Sequence, residues 1–153
     1  MSARSDPMIP PSRCILYAED DEDDVFFFKN AMKANSSPYL LQAVANGEQA
    51  IDYLSGKGAF AERARFPFPA IVLLDINMPR LNGLEVLKWI RRQPHFKSLP
   101  VLMISSSGRP EDKEIARLLG ADDYLIKPSD PHDLMELFKA LHSRWLTQPV
   151  ART

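Results

Sequence analysis

The chain has 153 residues, with 19 Lys and Arg against 20 Asp and Glu, which is enough to bury one core and too few for two full domains. Its 45% hydrophobic and 25% charged residues and net charge of −1 are those of an ordinary globular protein and demand neither a nucleic acid nor a membrane partner. No apolar run reaches the roughly 18 residues of a membrane span, and the polar, proline-bearing start does not read as a secretory signal, so a cytoplasmic location is expected.

Apolar runs of strand length alternate with helical periodicities, the pattern of an α/β fold in which helices cover both faces of a parallel sheet, here as five βα units. Residues 1–12 read as an N-terminal tail, 13–146 as the domain and 147–153 as a C-terminal tail. The first strand spans Cys14 to Ala18; the single Cys14 has no partner for an intramolecular disulfide and reads as buried filler. A helix from about Asp24 to Ala34 puts Phe27, Phe28, Ala31 and Met32 on one face by three- and four-residue spacing. Val25 and Phe26 fall off that stripe and are candidates for an exposed patch that docks a partner's helix.

The second strand spans about Tyr39 to Ala43, and a helix runs near Glu48 to Leu54. Residues 55–69 are long for a βα connection and read as an elaborated loop; Gly56-Lys57-Gly58 lacks the context of a phosphate-binding loop and reads as a turn. The third strand, Ala70 to Leu74, is continuously apolar and belongs at the centre of the sheet. Asn82 and Gly83 begin a helix carrying Leu84, Leu87 and Ile90 that stops before Pro94. Val101 to Ile104 form the fourth strand. Pro110 suits the first turn of the next helix, with Glu111 and Asp112 favourable to its dipole and Gly120 at its end. The fifth strand covers about Asp123 to Ile126, and the last helix, about Asp130 to Trp145, lays Leu134, Leu137, Phe138, Leu141 and Trp145 on the sheet. His95, His132 and His142 share no spacing that builds a metal or catalytic site.

Ligands of an open parallel sheet bind beyond the carboxyl ends of its strands, which here carry Glu19, Asp20, Asp75, Ser105 and Lys127. Carboxylates gathered at the edge of an apolar core repel one another unless a cation neutralises them, and an all-oxygen set without His or Cys favours a hard ion such as Mg²⁺. Asp20 and Asp75 are the expected direct ligands, Glu19 acts through a water, and the backbone carbonyl of Asn77 supplies another oxygen. Asp75 is the expected nucleophile, forming an aspartyl phosphate. Lys127 pairs with one phosphoryl oxygen as a point charge, and Ser105 donates its hydroxyl to another. The rest of the acidic run, Glu22, Asp23 and Asp24, reads as the solvated first turn of a helix.

Tyr17-Ala18-Glu19-Asp20-Asp21, Leu74-Asp75-Ile76-Asn77-Met78-Pro79 with Gly83, Ile104-Ser105-Ser106 and Ile126-Lys127-Pro128 resemble, in this order, the signature of response regulator receiver domains of two-component signalling. The resemblance covers about Arg13 to Trp145. It implies a flavodoxin-like strand order 2-1-3-4-5, a phosphoacceptor rather than an enzyme, and a phosphoryl donor on the histidine of a sensor kinase or phosphorelay protein. It also implies that Ser105 and Tyr124 form a switch pair, that Lys127-Pro128 sits where receivers use a cis peptide, and that output or a homodimer uses the face of the fourth helix, fifth strand and fifth helix. The enlarged segment before the third strand is similar to stand-alone regulators, some of which are paired with phytochrome-type histidine kinases. Two other functions compete: a receiver-like interaction module that is never phosphorylated, and an aspartate-nucleophile phosphatase of the haloacid dehalogenase type. The phosphatase signature wants its nucleophile after the first strand and a second Asp two residues on, where this chain has Asn77.

Overall fold

In the computed structural model, which describes residues 13–146, three strands are buried at every position: β1 (Cys14–Ala18), β3 (Ile71–Asp75) and β4 (Val101–Ser105). Strands covered on both faces belong inside a parallel sheet. The more exposed strands, β2 (Leu40–Val44) and β5 (Asp123–Ile126), form its edges. All four pairings are parallel and the order is β2-β1-β3-β4-β5, so the direction of winding reverses between β1 and β3. Ala18 is paired with Leu74, and the next residue on each side is therefore Glu19 and Asp75. The tails expected at 1–12 and 147–153 lie outside the described residues.

Alternation along the strands feeds two cores. Ile15, Tyr17, Ile71, Leu73, Leu102 and Ile104 face helices α1 (Glu22–Ala34) and α5 (Pro131–Leu141). Leu16, Ala18, Val72, Leu74, Val101 and Met103 face the other way, toward α2 (Gly47–Ser55), α3 (Gly83–Arg92) and Ala116 of α4 (Pro110–Leu118). Among the described residues no helix is long and apolar enough to cross a membrane.

Side-chain caps set where the helices begin. The Asp21 carboxylate accepts hydrogen bonds from the Asp23 and Asp24 amides, which starts α1 two residues earlier than the apolar periodicity indicates. Asn82 and Glu85 form a reciprocal capping box at α3, each side chain bonding the other's backbone amide. Replacing Asn82 with Ala is expected to cost about 1 kcal/mol, read in thermal unfolding as a Tm lower by about 2–4 °C.

Residues 55–69 carry structure of their own, held by ring packing and hydrogen bonds. Gly56 closes α2 in a left-handed conformation, φ 67°, and a short 3₁₀ turn follows at Gly58–Phe60. Tyr53, Phe60 and Phe66 pack edge to face or tilted, with ring centroids 5.0–6.1 Å apart, and the Tyr53 hydroxyl donates to the Pro67 carbonyl at 2.8 Å. Arg63 ties the segment down by donating to the carbonyls of Phe66 and Leu54.

Three sequence expectations are corrected. On α1 the buried stripe is Phe28, Ala31 and Met32, joined by half-buried Val25, while Phe27 is 45% exposed; positions 25, 28 and 32 follow the three- and four-residue spacing, and Phe27 lies off that face. At the end of α5 the chain widens into a π-helical turn, His142–Leu146. The i→i+5 winding adds Leu146, which the periodicity left out, to the buried stripe, while the half-buried Trp145 packs against the same core as expected. Every peptide bond in the described chain is trans, Lys127–Pro128 included.

Candidate functional site

The reversal between β1 and β3 creates a crevice at the carboxyl edge of the sheet, and Glu19, Asp20 and Asp75 meet there, each offering an oxygen within 4.8 Å of the others. Glu19 and Asp75 are only 3% and 5% exposed; Asp20 faces solvent. The Lys127 ammonium reaches across from the end of β5, 2.6 Å from Glu19 Oε1 and 3.5 Å from Asp75 Oδ2. Glu19 also accepts from the Tyr17 hydroxyl at 3.1 Å and the Asp21 amide at 3.0 Å.

Burial pushes the Glu19 carboxyl up to about 7, opposed by its bonds to Lys127 and the Asp21 amide and assisted by the nearby Asp75 charge. For Lys127 burial works against the charged form, but the bonds to Glu19 and Asp24 and the charge of Asp75 more than reverse it, so the group lies above the ordinary lysine value and stays cationic. One ammonium among this many carboxylates leaves the pocket anionic. The all-oxygen donor set and the net negative charge fit a hard divalent ion, held by Glu19, Asp20 and Asp75.

The loop after β3 is shaped around Asp75. The Asn77 amide donates to Asp75 Oδ1 at 3.3 Å, Arg80 adopts a left-handed φ of 71°, and the Gly83 amide returns to the Ile76 carbonyl at 3.0 Å. Gly83 lies so close that a Cβ there would fall 2.2 Å from the Asp75 carbonyl oxygen.

Ser105 and Tyr124 meet through a residue that the sequence did not single out. Ser105, fully buried at the end of β4, accepts a hydrogen bond from the Ser107 amide at 3.1 Å. The half-buried Tyr124 donates its hydroxyl to the Ser107 carbonyl at 2.8 Å, and the Ser107 hydroxyl donates to Asp112 in the first turn of α4 at 2.7 Å. Ser107 therefore links both expected switch residues to α4. Three consecutive serines carry no mark in sequence that tells them apart.

Asp24 was also missed. Rather than being wholly solvated, it is half-buried and accepts from Lys127 Nζ at 2.9 Å. Of the two candidate docking residues, Phe26 is 58% exposed, whereas Val25 packs against the core on the α1 and α5 side and offers little free surface.

The response regulator receiver domain family matches residues 15–139. Response regulator Rcp1 of Synechocystis sp. is 30% identical over 150 residues, covering 96% of this chain and 99% of that protein. The structure of its Mn²⁺-bound form has a TM-score of 0.78 at 27% identity, covering 92% of this chain and 99% of that one. Response regulator RPA3017 in red light signaling of R. palustris superposes with a TM-score of 0.84 at 34% identity, covering 92% and 98% of the two chains. The phosphorylated cyanobacterial phytochrome response regulator RcpA gives a TM-score of 0.81 at 28% identity, with 89% and 95% coverage.

Proposed function

Since the chain belongs to the response regulator receiver domain family, we propose that it accepts a phosphoryl group onto Asp75 from a phosphohistidine of a sensor kinase or phosphorelay protein. The observation that carries this reading is that Asp75 is shared: one buried carboxylate belongs both to the trio able to hold a cation and to the reach of Lys127. A carboxylate oxygen of Asp75 attacks phosphorus while the bond from phosphorus to the donor nitrogen breaks, and the electron pair leaves with the imidazole. Lys127 remains protonated and pairs with a phosphoryl oxygen. Ser105 gives up its bond from the Ser107 amide region and turns its hydroxyl toward another oxygen. Glu19, Asp20, Asp75 and the Asn77 carbonyl would hold Mg²⁺, whose charge offsets that of the phosphoryl group.

Rcp1 has been crystallised with Mn²⁺ and RcpA is a phytochrome response regulator, which supports a divalent-ion requirement and a phytochrome-type kinase as donor. A cytoplasmic site of action belongs to the same reading. For output we assign the α4, β5 and α5 face, where Ile115, Leu118 and Ile126 are exposed, to contact with an effector or a second copy, with Tyr124 and Ser105 as the switch that Ser107 couples to α4.

Incubation with acetyl phosphate and Mg²⁺ tests the reaction. The expected result is the mass of one added phosphoryl group, mapped to Asp75 and absent when a chelator is present during the incubation. Failure of every acyl-phosphate and phosphohistidine donor to add that mass would leave the interaction module as the better reading. The docking assignment is tested by Phe26→Asp. With its side chain largely in solvent, this variant should keep its Tm and its labelling by acetyl phosphate while losing about tenfold in transfer from the kinase. Unchanged kinase transfer would remove Phe26 from the interface.

A further inference from the structure

Lys127 has three carboxylates around it, and they are not equivalent. Glu19 and Asp75 belong to the trio whose oxygens lie within 4.8 Å of one another. The third, Asp24, stands outside that trio, on the first turn of α1, yet it is closer to the ammonium than the nucleophile is: 2.9 Å against 3.5 Å. Its side chain is 30% exposed and that of Lys127 only 15%, so the pair is partly shielded from solvent screening. No backbone cap consumes the Asp24 carboxylate, because the cap of α1 is Asp21. Its carboxylate is thus available to pair with Lys127.

We infer that Asp24 is a positioning residue that holds Lys127 in reserve on the α1 side of the pocket and competes with the phosphoryl group for the same ammonium. This rests on the phosphoacceptor reading of Asp75. Before phosphoryl transfer, Asp24 gives the lysine a counter-ion that a cation bound by Glu19, Asp20 and Asp75 does not claim. During transfer the ammonium must lean from Asp24 toward the phosphoryl oxygens, and the fixed carboxylate charge left behind opposes the arriving negative charge. Asp24 therefore slows uptake of the phosphoryl group.

Rates of Asp75 labelling by acetyl phosphate, at saturating Mg²⁺ and at low and high salt, test this with Asp24→Asn and Asp24→Glu. The Asn variant keeps the shape and loses the charge; it should label several-fold faster at low salt and, since the pair is partly shielded, lose only part of that advantage as salt rises. The Glu variant should return toward the wild-type rate. A lower Tm with an unchanged or slower labelling rate in Asp24→Asn would mean that the residue serves only the helix, and the inference would be wrong while the phosphoacceptor reading stood. No labelling of the wild-type protein would instead overturn the reading of the site and this inference with it.

Discussion

Lys127→Met should slow labelling of Asp75 by a hundredfold or more while leaving the divalent-ion affinity of the pocket intact or higher. The two effects have opposite signs because the lysine plays opposite parts toward the two ligands. For a phosphoryl group it is a pre-placed cation 3.5 Å from the nucleophile, kept charged by its carboxylate neighbours. Removing one such pre-organised donor from a developing anion typically costs about 10²–10³ in rate. For a metal ion it is a competitor, since its ammonium already sits on Glu19 at 2.6 Å. Methionine keeps the length of the stem and its packing, so the charge is the quantity changed.

Labelling rate and Mg²⁺ titration, followed by Tm or by a bound-ion probe, separate these effects. Arginine is not expected to rescue the rate, because its planar fork cannot occupy the compact position of an ammonium. Labelling that stays within a few-fold of wild type would remove Lys127 from the reaction; weakened Mg²⁺ binding would show that it supports the trio rather than competing with it.

The parts of this site that lie at strand ends were legible in the sequence, because a buried parallel strand is an unbroken apolar run and the first polar residue after it is conspicuous. Glu19, Asp75 and Ser105 announce themselves in this way, whereas Lys127 follows the exposed edge strand β5 and stands out through the Ile126-Lys127-Pro128 pattern. What the sequence hid depends on contacts across long separations or on local winding. Asp24 looks like one more acid in a helix's first turn until Lys127, 103 residues away, is placed beside it. Ser107 is indistinguishable from its neighbours until Tyr124 and Asp112 find it. The burial of Leu146 beside Trp145 follows from one π-helical turn, which a 3.6-residue periodicity cannot anticipate. Val25 and Phe27 changed places because a run of three phenylalanines offers two plausible stripes, and only the packing of α1 on α5 chooses between them.

Gly83→Ala should damage both the stability of the fold and the position of the nucleophile. In a helix interior, exchanging glycine for alanine ordinarily stabilises by about 1 kcal/mol, through backbone entropy. Here the sign reverses. The added Cβ would lie 2.2 Å from the Asp75 carbonyl oxygen, 2.9 Å from its carbonyl carbon and 3.1 Å from Ile76 Cα, all of them backbone atoms that no rotamer change can move. Relief requires α3 to back away from the end of β3, which breaks the Gly83 amide bond to Ile76 at 3.0 Å and disturbs the fully buried packing of Val86, Leu87 and Ile90 behind it.

Overpacking of this kind costs about 1–3 kcal/mol and occasionally more; with backbone as the obstacle, about 3 kcal/mol is expected, a fall in Tm of about 6–12 °C. Because the displaced atoms belong to the nucleophile's own peptide, labelling should fall as well, by up to about 10²-fold for a 1 Å shift. Gly58→Ala is the control, since nothing lies within 4 Å of its Cβ position and only its φ of 58° opposes the change. It should cost about 1–2 kcal/mol and leave labelling of Asp75 untouched. A Gly83→Ala protein as stable and as readily labelled as wild type would mean that α3 and β3 are not locked together at this point, and that the nucleophile's position is set elsewhere.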